Sequence, residues 1–151
     1  MNIFALDPCP IKSARMLCDK HVVKMPLETA QILCTILDSF GIAARYKPTH
    51  KFHPCTIWAK ASSANFDWLA VHGWALCNEY KMRYGKDHKC LEVIHDCLAN
   101  KPRFEALELT PFALAMPDEY KTACPHESYL NYYQGAKSHL FKYTFRKNPF
   151  E

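Results

Sequence analysis

Lys20, Lys24, Glu28 and Gln31 follow one another at spacings of four, four and three, so on a helix they share one face, and His21 lies three residues before Lys24. A base, a carboxylate and an imidazole in one stripe are the groups that general acid–base chemistry uses. Lys24, His21 and Glu28 are therefore candidate catalytic groups, and Lys20 a candidate ligand contact. The bland alternative is a solvated face with a Lys24–Glu28 ion pair worth tenths of a kcal/mol. Pro26 inside the run, which removes a backbone donor and predicts a kink, and the flanking Val22, Val23 and Leu27 favour a partly buried pocket floor.

A second candidate is the segment from Tyr46 to Thr56, which interleaves Lys47, His50, Lys51 and His53 with aromatic rings and then opens a helix at Pro54. Free N–H groups at Cys55 and Thr56 would face out of that helix start and suit a phosphate, with Lys47, His50, Lys51, His53 and Thr56 as ligand contacts. Proline after a polar loop is also ordinary helix punctuation. The third candidate is Asn65, Trp68 and His72, polar or aromatic breaks in an apolar helix, spaced to read a base by hydrogen bonding and stacking. A histidine such as His72 on a mostly apolar face is more often a core residue.

These groups need helices to position them. Apolar residues from Met16 to Leu37 recur near the 3.6 period and predict one long helix over 13–40, stopped by Gly41. A second long helix is expected from Pro54 to about Tyr84, closed by Gly85, and a third over 88–99 capped by Asp87. The stretch 101–117, with three prolines, reads as irregular. A last helix is expected from Pro125 to about Phe141, and Asn2 to Leu6 reads as extended. The expectation is an all-α, single-domain bundle of three to four helices over 1–151, with a long ordered loop and a basic C-terminal tail.

Composition agrees with that class. Hydrophobic residues are 49% and charged residues 23% of 151, which is globular, and 4 glycines against 10 prolines argue against a many-turned β fold. No apolar run reaches the roughly 20 residues that span a bilayer, and no signal sequence is read at the N-terminus, so a cytoplasmic protein without membrane contact is expected. The net charge of +4 is too small to diagnose a nucleic-acid binder, but basic residues cluster over 45–60 and 137–151. Eight cysteines without a C-x-x-C pair are expected to be free thiols. His50, His53 and Cys55 lack a fourth ligand, so neither a metal nor another cofactor is expected.

The run Met116-Pro117-Asp118-Glu119-Tyr120-Lys121, followed by Pro125-His126-Glu127, resembles the corresponding part of the phage pyrimidine-dimer DNA glycosylases of the endonuclease V type. The order of elements is similar too, including a long helix carrying an internal proline. The resemblance implies a small all-α enzyme in which an N-terminal threonine amine forms an imine at the sugar C1′. Here residue 2 is Asn2, whose bulk favours retention of Met1. The family's catalytic glutamate, two residues before the helix proline, corresponds to Lys24, and its flanking arginines correspond to Val23 and Leu27.

A site rebuilt from lysine, histidine and aromatic groups suits a phosphate-bearing ligand. The leading expectation is a viral protein that recognises a small phosphorylated nucleotide, such as a cyclic nucleotide immune signal, and sequesters or cleaves it without metal. The alternative is a DNA base-excision glycosylase and AP lyase that uses Lys24 or the N-terminal amine as its imine-forming nucleophile. The expected partner is a nucleotide or nucleic acid; the sequence leaves the oligomeric state open.

Overall fold

The computed structural model describes residues 1–151. It is all-helical: α1 (Pro10–Met16), α2 (Asp19–Ser39), α3 (Pro54–Ala61), α4 (Ser63–Tyr84), α5 (Cys90–Ala99) and α6 (Pro125–Lys137). Short 3-10 turns occupy Asp118–Tyr120 and Ser138–Leu140. No helix is long and apolar enough to cross a membrane.

Six helices replace the expected three to four because two long patterns are interrupted. The first breaks at Leu17 and Cys18, which separate α1 from α2. Side chains remote in sequence satisfy the freed backbone there. Arg83 donates to the carbonyls of Leu17 and Arg15 at 2.8 and 3.2 Å, Tyr143 donates to that of Met16 at 2.6 Å, and the Cys18 N–H donates to the Tyr133 hydroxyl at 2.9 Å. The second break is Ser62, held at φ −155° and ψ 161°. Its hydroxyl accepts from Asn65 N–H at 3.1 Å, while the next two N–H groups, of Ser63 and Ala64, donate to the carbonyls of Ala106 and Leu107. The irregular stretch 101–117 thus completes the start of α4.

Pro26 does not end its helix; α2 runs through it to Ser39. Gly85 closes α4 with φ +73°, a left-handed cap that suits glycine. The next helix starts at Cys90 rather than residue 88. Its first N–H donates to His88 Nδ1 at 3.1 Å, so His88 is the capping group, and Asp87 instead pairs with Lys81 at 3.0 Å. The final α-helix ends at Lys137, before the expected Phe141.

Central α4 packs against α1, α2, α3 and α5. Where it meets α2 and α5, Gly73 leaves no room for a side chain: an added Cβ would lie 2.6 Å from Thr29 Cγ2 and 2.9 Å from Ile94 Cδ1. The N-terminal segment Asn2–Leu6 is buried but pairs in no sheet. Asn2 Oδ1 accepts from the N–H groups of Ile3 and Phe4, and Asn2 Nδ2 donates to the Ala115 carbonyl at 2.7 Å. Phe4 then turns through φ +45°. These contacts thread the chain start into the interior and fix where residue 1 emerges.

Candidate active site

The Met1 amine lies 3.4 Å from Glu28 Oε1, and both side chains are nearly closed to solvent, at 3% and 11% exposed. Glu28 is presented by α2 two residues after Pro26, on the side of the helix that the N-terminal segment covers. His53 is the third group of this site. Burial holds its pKa below the usual histidine range, the Met1 ammonium and His50 push the same way, and Glu28 opposes them. Beneath lies Cys55, fully buried, whose thiol burial raises to about 11. A primary amine beside a carboxylate can act with it as nucleophile and proton acceptor together.

His21 supports this arrangement from within. Its ring stacks on Phe4 with centroids 4.6 Å apart, and its Nδ1 lies 2.7 Å from the Tyr133 hydroxyl. Burial first, then Lys137 and Lys24, lower its pKa to about 4. A neutral ring at this point holds the N-terminal segment against α2 and α6. Lys24, one turn before Glu28, is exposed and lines an outer groove with Val23, Leu27, Tyr46 and Tyr80. Lys20 is exposed beside it. The stripe therefore divides, with Glu28 inside against the chain start and Lys20 and Lys24 outside.

The 45–53 segment folds down on α2. Thr35 Oγ1 accepts from the Thr49 N–H at 3.0 Å and donates toward the Gln31 and Thr49 carbonyls, while Arg45 pairs with Asp96 and Glu92 of α5. His50, in the left-handed region at φ +49°, and Lys47 and Lys51 are exposed. The expected phosphate seat at the start of α3 is partly filled, because His53 Nδ1 accepts the Cys55 N–H at 3.1 Å. Thr56 is buried, and its hydroxyl has no hydrogen-bond partner.

The third candidate set lies inside the bundle. Asn65 donates to the Trp58 carbonyl and to Thr110 Oγ1 and accepts from the Thr110 N–H. Trp68 donates to the Pro8 carbonyl at 2.8 Å and stacks on His72 at 5.0 Å. His72 is fully buried without a partner for either ring nitrogen, and burial lowers its pKa to about 3. The polar atoms of Asn65 and Trp68 are thus committed to the protein itself. Periodicity alone did not reveal Cys55 or the Tyr133 hydroxyl as parts of the site's support. Nor did it reveal Tyr46, Tyr80, Lys86 and Lys89 of the outer groove, which come from α4 and from loops remote in sequence from α2.

A sequence model of the pyrimidine dimer DNA glycosylase family matches residues 1–92. The chain belongs to this family. The matched stretch runs from Met1 into α5 and contains Met1, Glu28 and His53. The Pro-His-Glu run at 125–127, which opens α6, lies beyond it. No curated protein and no solved structure matches the chain. Relative to the glycosylase pattern, the carboxylate at the N-terminal amine comes from Glu28, one helical turn after the position of Lys24 and on the same side of the helix axis.

Proposed function

We propose that the protein is an imine-forming nucleic-acid glycosylase and lyase whose nucleophile is the Met1 α-amine and whose proton-transfer group is Glu28. The approach of these two groups to 3.4 Å carries the reading. Glu28 takes a proton from the ammonium and frees the nitrogen lone pair. The nitrogen then bonds to the sugar C1′ as the glycosidic bond to the base breaks, the base leaving with the bonding pair and taking up the second proton that the nitrogen sheds. Opening of the C1′–O4′ bond, with a proton returned from Glu28 to O4′, leaves an iminium at C1′. Lys24 faces the outer groove and is assigned to ligand contact. His21 and His53 are positioning groups, one holding the segment that delivers the amine and the other lying beside the pair.

Borohydride reduction on DNA containing an abasic site tests this directly. The expected result is a covalent adduct on the peptide that begins with Met1, in protein whose intact mass shows Met1 to be the first residue. An extra residue before Met1 should abolish the adduct, and Glu28→Gln should slow its formation by about 10²–10⁴-fold. An adduct on Lys24, or full activity of the extended protein, would refute the assignment.

A second reading, a small phosphorylated nucleotide such as a cyclic nucleotide signal as ligand, is supported by Val23 and Leu27. They are 43% and 42% exposed where the family's arginines would grip a duplex. It predicts tight nucleotide binding with no trapped adduct.

A further inference from the structure

Three depressions adjoin along the outer face of α2. The first, about 470 Å³, lies among Lys20, Lys24, Tyr84, Lys142 and Thr144. The second, about 560 Å³, lies among Lys24, Tyr46, Tyr80, Lys86 and Lys89 and shares the Val23–Lys24 wall with the first. The third, about 380 Å³, is bounded by Gln31, Lys47 and Thr49 and shares Leu27 and Tyr46 with the second. From Lys20 to Gln31 the helix rises about 16 Å, so the joined groove has the length of several nucleotides.

Its charge is one-sided. Lys20, Lys24, Lys47, Lys86, Lys89 and Lys142 are exposed and take part in no ion pair. The acids at its margin are already engaged: Asp19 accepts from Thr144 and Arg83, and Asp87 pairs with Lys81. In the first two depressions the floor is apolar and aromatic, with Val23, Leu27, Tyr80 and Tyr84 at the surface and the two tyrosine rings 5.2 Å apart. His88 fixes the wall between α2 and α5. Its Nδ1 accepts from Cys90 N–H, so its Nε2 carries the proton and donates to the Val23 carbonyl at 2.9 Å.

We infer that this groove is a track for single-stranded nucleic acid, which lays its bases on the Val23–Leu27–tyrosine floor while the unpaired lysines take its phosphates. A duplex turns its phosphates outward and keeps its base faces stacked inside, so it could use the lysines but not the floor. A stacking surface lined by cations is the combination that binds single strands without sequence preference. The inference rests on the imine reading for the chemistry and supplies its substrate, a strand held along the helix that carries Glu28.

Fluorescence anisotropy with a labelled oligothymidylate of about twelve nucleotides, its duplex with oligoadenylate, and thymidine monophosphate as competitor tests it. The single strand should bind at least about tenfold more tightly than the duplex and far more tightly than the monophosphate, since only the strand uses both floor and lysines. Lys86→Glu with Lys89→Glu should weaken strand binding about tenfold or more and reduce the salt slope by about 1.4, the share of two phosphate contacts on a single strand. Tyr84→Ala should weaken it at least about fivefold. All these side chains are exposed, so unchanged helical signal and melting temperature accompany the loss. Equal or tighter duplex binding, equal monophosphate binding, or unchanged affinity in both variants would overturn the groove assignment. Borohydride trapping on an abasic single strand separates the two claims. An adduct at Met1 with affinity untouched by the groove variants leaves the imine reading standing and removes the groove. Groove-dependent binding without an adduct does the reverse.

Discussion

His72 offers a measurement that separates a core role from a ligand-reading one. Its ring is fully buried against Trp68, neither nitrogen has a partner, and burial lowers its pKa to about 3. In the unfolded chain the same ring titrates near 6.5. Because the folded value is the lower one, the unfolded state takes up the proton first as pH falls. The stability from keeping the ring neutral is complete above about pH 6.5 and drains away below it, down to about 3. At about pH 5 the ring is some 1.5 units below its unfolded pKa, which costs about 2 kcal/mol at 1.36 kcal/mol per unit. His21, lowered to about 4 by burial ahead of Lys137 and Lys24, loses a similar amount over the same interval. Wild-type protein should therefore lose about 4 kcal/mol between about pH 7.5 and pH 5, from these two rings alone. His72→Phe keeps the ring shape, removes two unpaired nitrogens and removes one of the two titrations. At about pH 7.5 its stability should match the wild type within about 1 kcal/mol or exceed it, and on acidification it should lose only about 2 kcal/mol. Urea unfolding followed by far-UV circular dichroism at the two pH values reads both numbers. Abasic-site trapping by the variant should be unchanged. A variant with the full wild-type acid sensitivity would refute the burial argument. One with normal stability and lost trapping would give His72 a role at the substrate.

Two further outcomes follow from the packing. Gly73→Ala places a methyl 2.6 Å from Thr29 Cγ2, so it should lower stability by about 1–3 kcal/mol in the same unfolding assay, and Thr29→Ser in the same chain should recover part of the loss. Glu79 accepts from Arg83 at 3.0 Å and from Arg146 at 2.7 and 3.0 Å in a nearly dry network; Glu79→Ala should cost about 1–3 kcal/mol by leaving Arg83 with Asp19 as its one carboxylate partner, with the melting temperature falling to match.

The helical class was legible because apolar residues repeat near 3.6 over most of the chain. The two breaks were not, and the reason is specific. At Leu17–Cys18 and at Ser62 the hydrophobic period continues in sequence, while the backbone groups that let the chain turn are satisfied by Arg83, Tyr133, Tyr143 and the carbonyls of Ala106 and Leu107. Ser62 did carry a local cap signal, its hydroxyl accepting from Asn65 N–H, but no local pattern announces partners as remote as Arg83, Tyr143 or Ala106. The side-chain stripe was legible as a spacing but not as a partition, since whether Lys24 or Glu28 is buried depends on what covers α2. The cover is the N-terminal segment, fixed by Asn2 on Ala115 and by Phe4 on His21. The set Asn65, Trp68 and His72 shows the converse limit. A polar side chain that bonds to the interior and one that reads a ligand leave the same trace in a helical pattern, and only the positions of Thr110 and the Pro8 carbonyl distinguish them.

The proposed mechanism needs its acid one turn further along α2 than the family resemblance implies. A catalytic carboxylate is constrained by where the amine lies, and here the amine is delivered by a buried segment that Asn2, Phe4 and His21 pin from three sides. Residues 24 and 28 are successive occupants of nearly the same helix face. The two positions lie about 6 Å apart along the helix axis, so the chain start meets one of them and not the other. In the proposed mechanism Glu28 serves the amine, which leaves position 24 to the outer groove, where a lysine would add to the row of unpaired cations rather than oppose it. In the proposed strand track, exposed Val23 and Leu27 would supply an apolar floor for an unpaired base at the two positions where the family resemblance implies arginines. Carboxylate position, lysine position and apolar floor are thus tied, in this proposal, to the face of a single helix. Restoring one element alone, as in Lys24→Glu, should place an unpaired carboxylate in the cationic groove and weaken strand binding without strengthening catalysis, because the amine would still face Glu28.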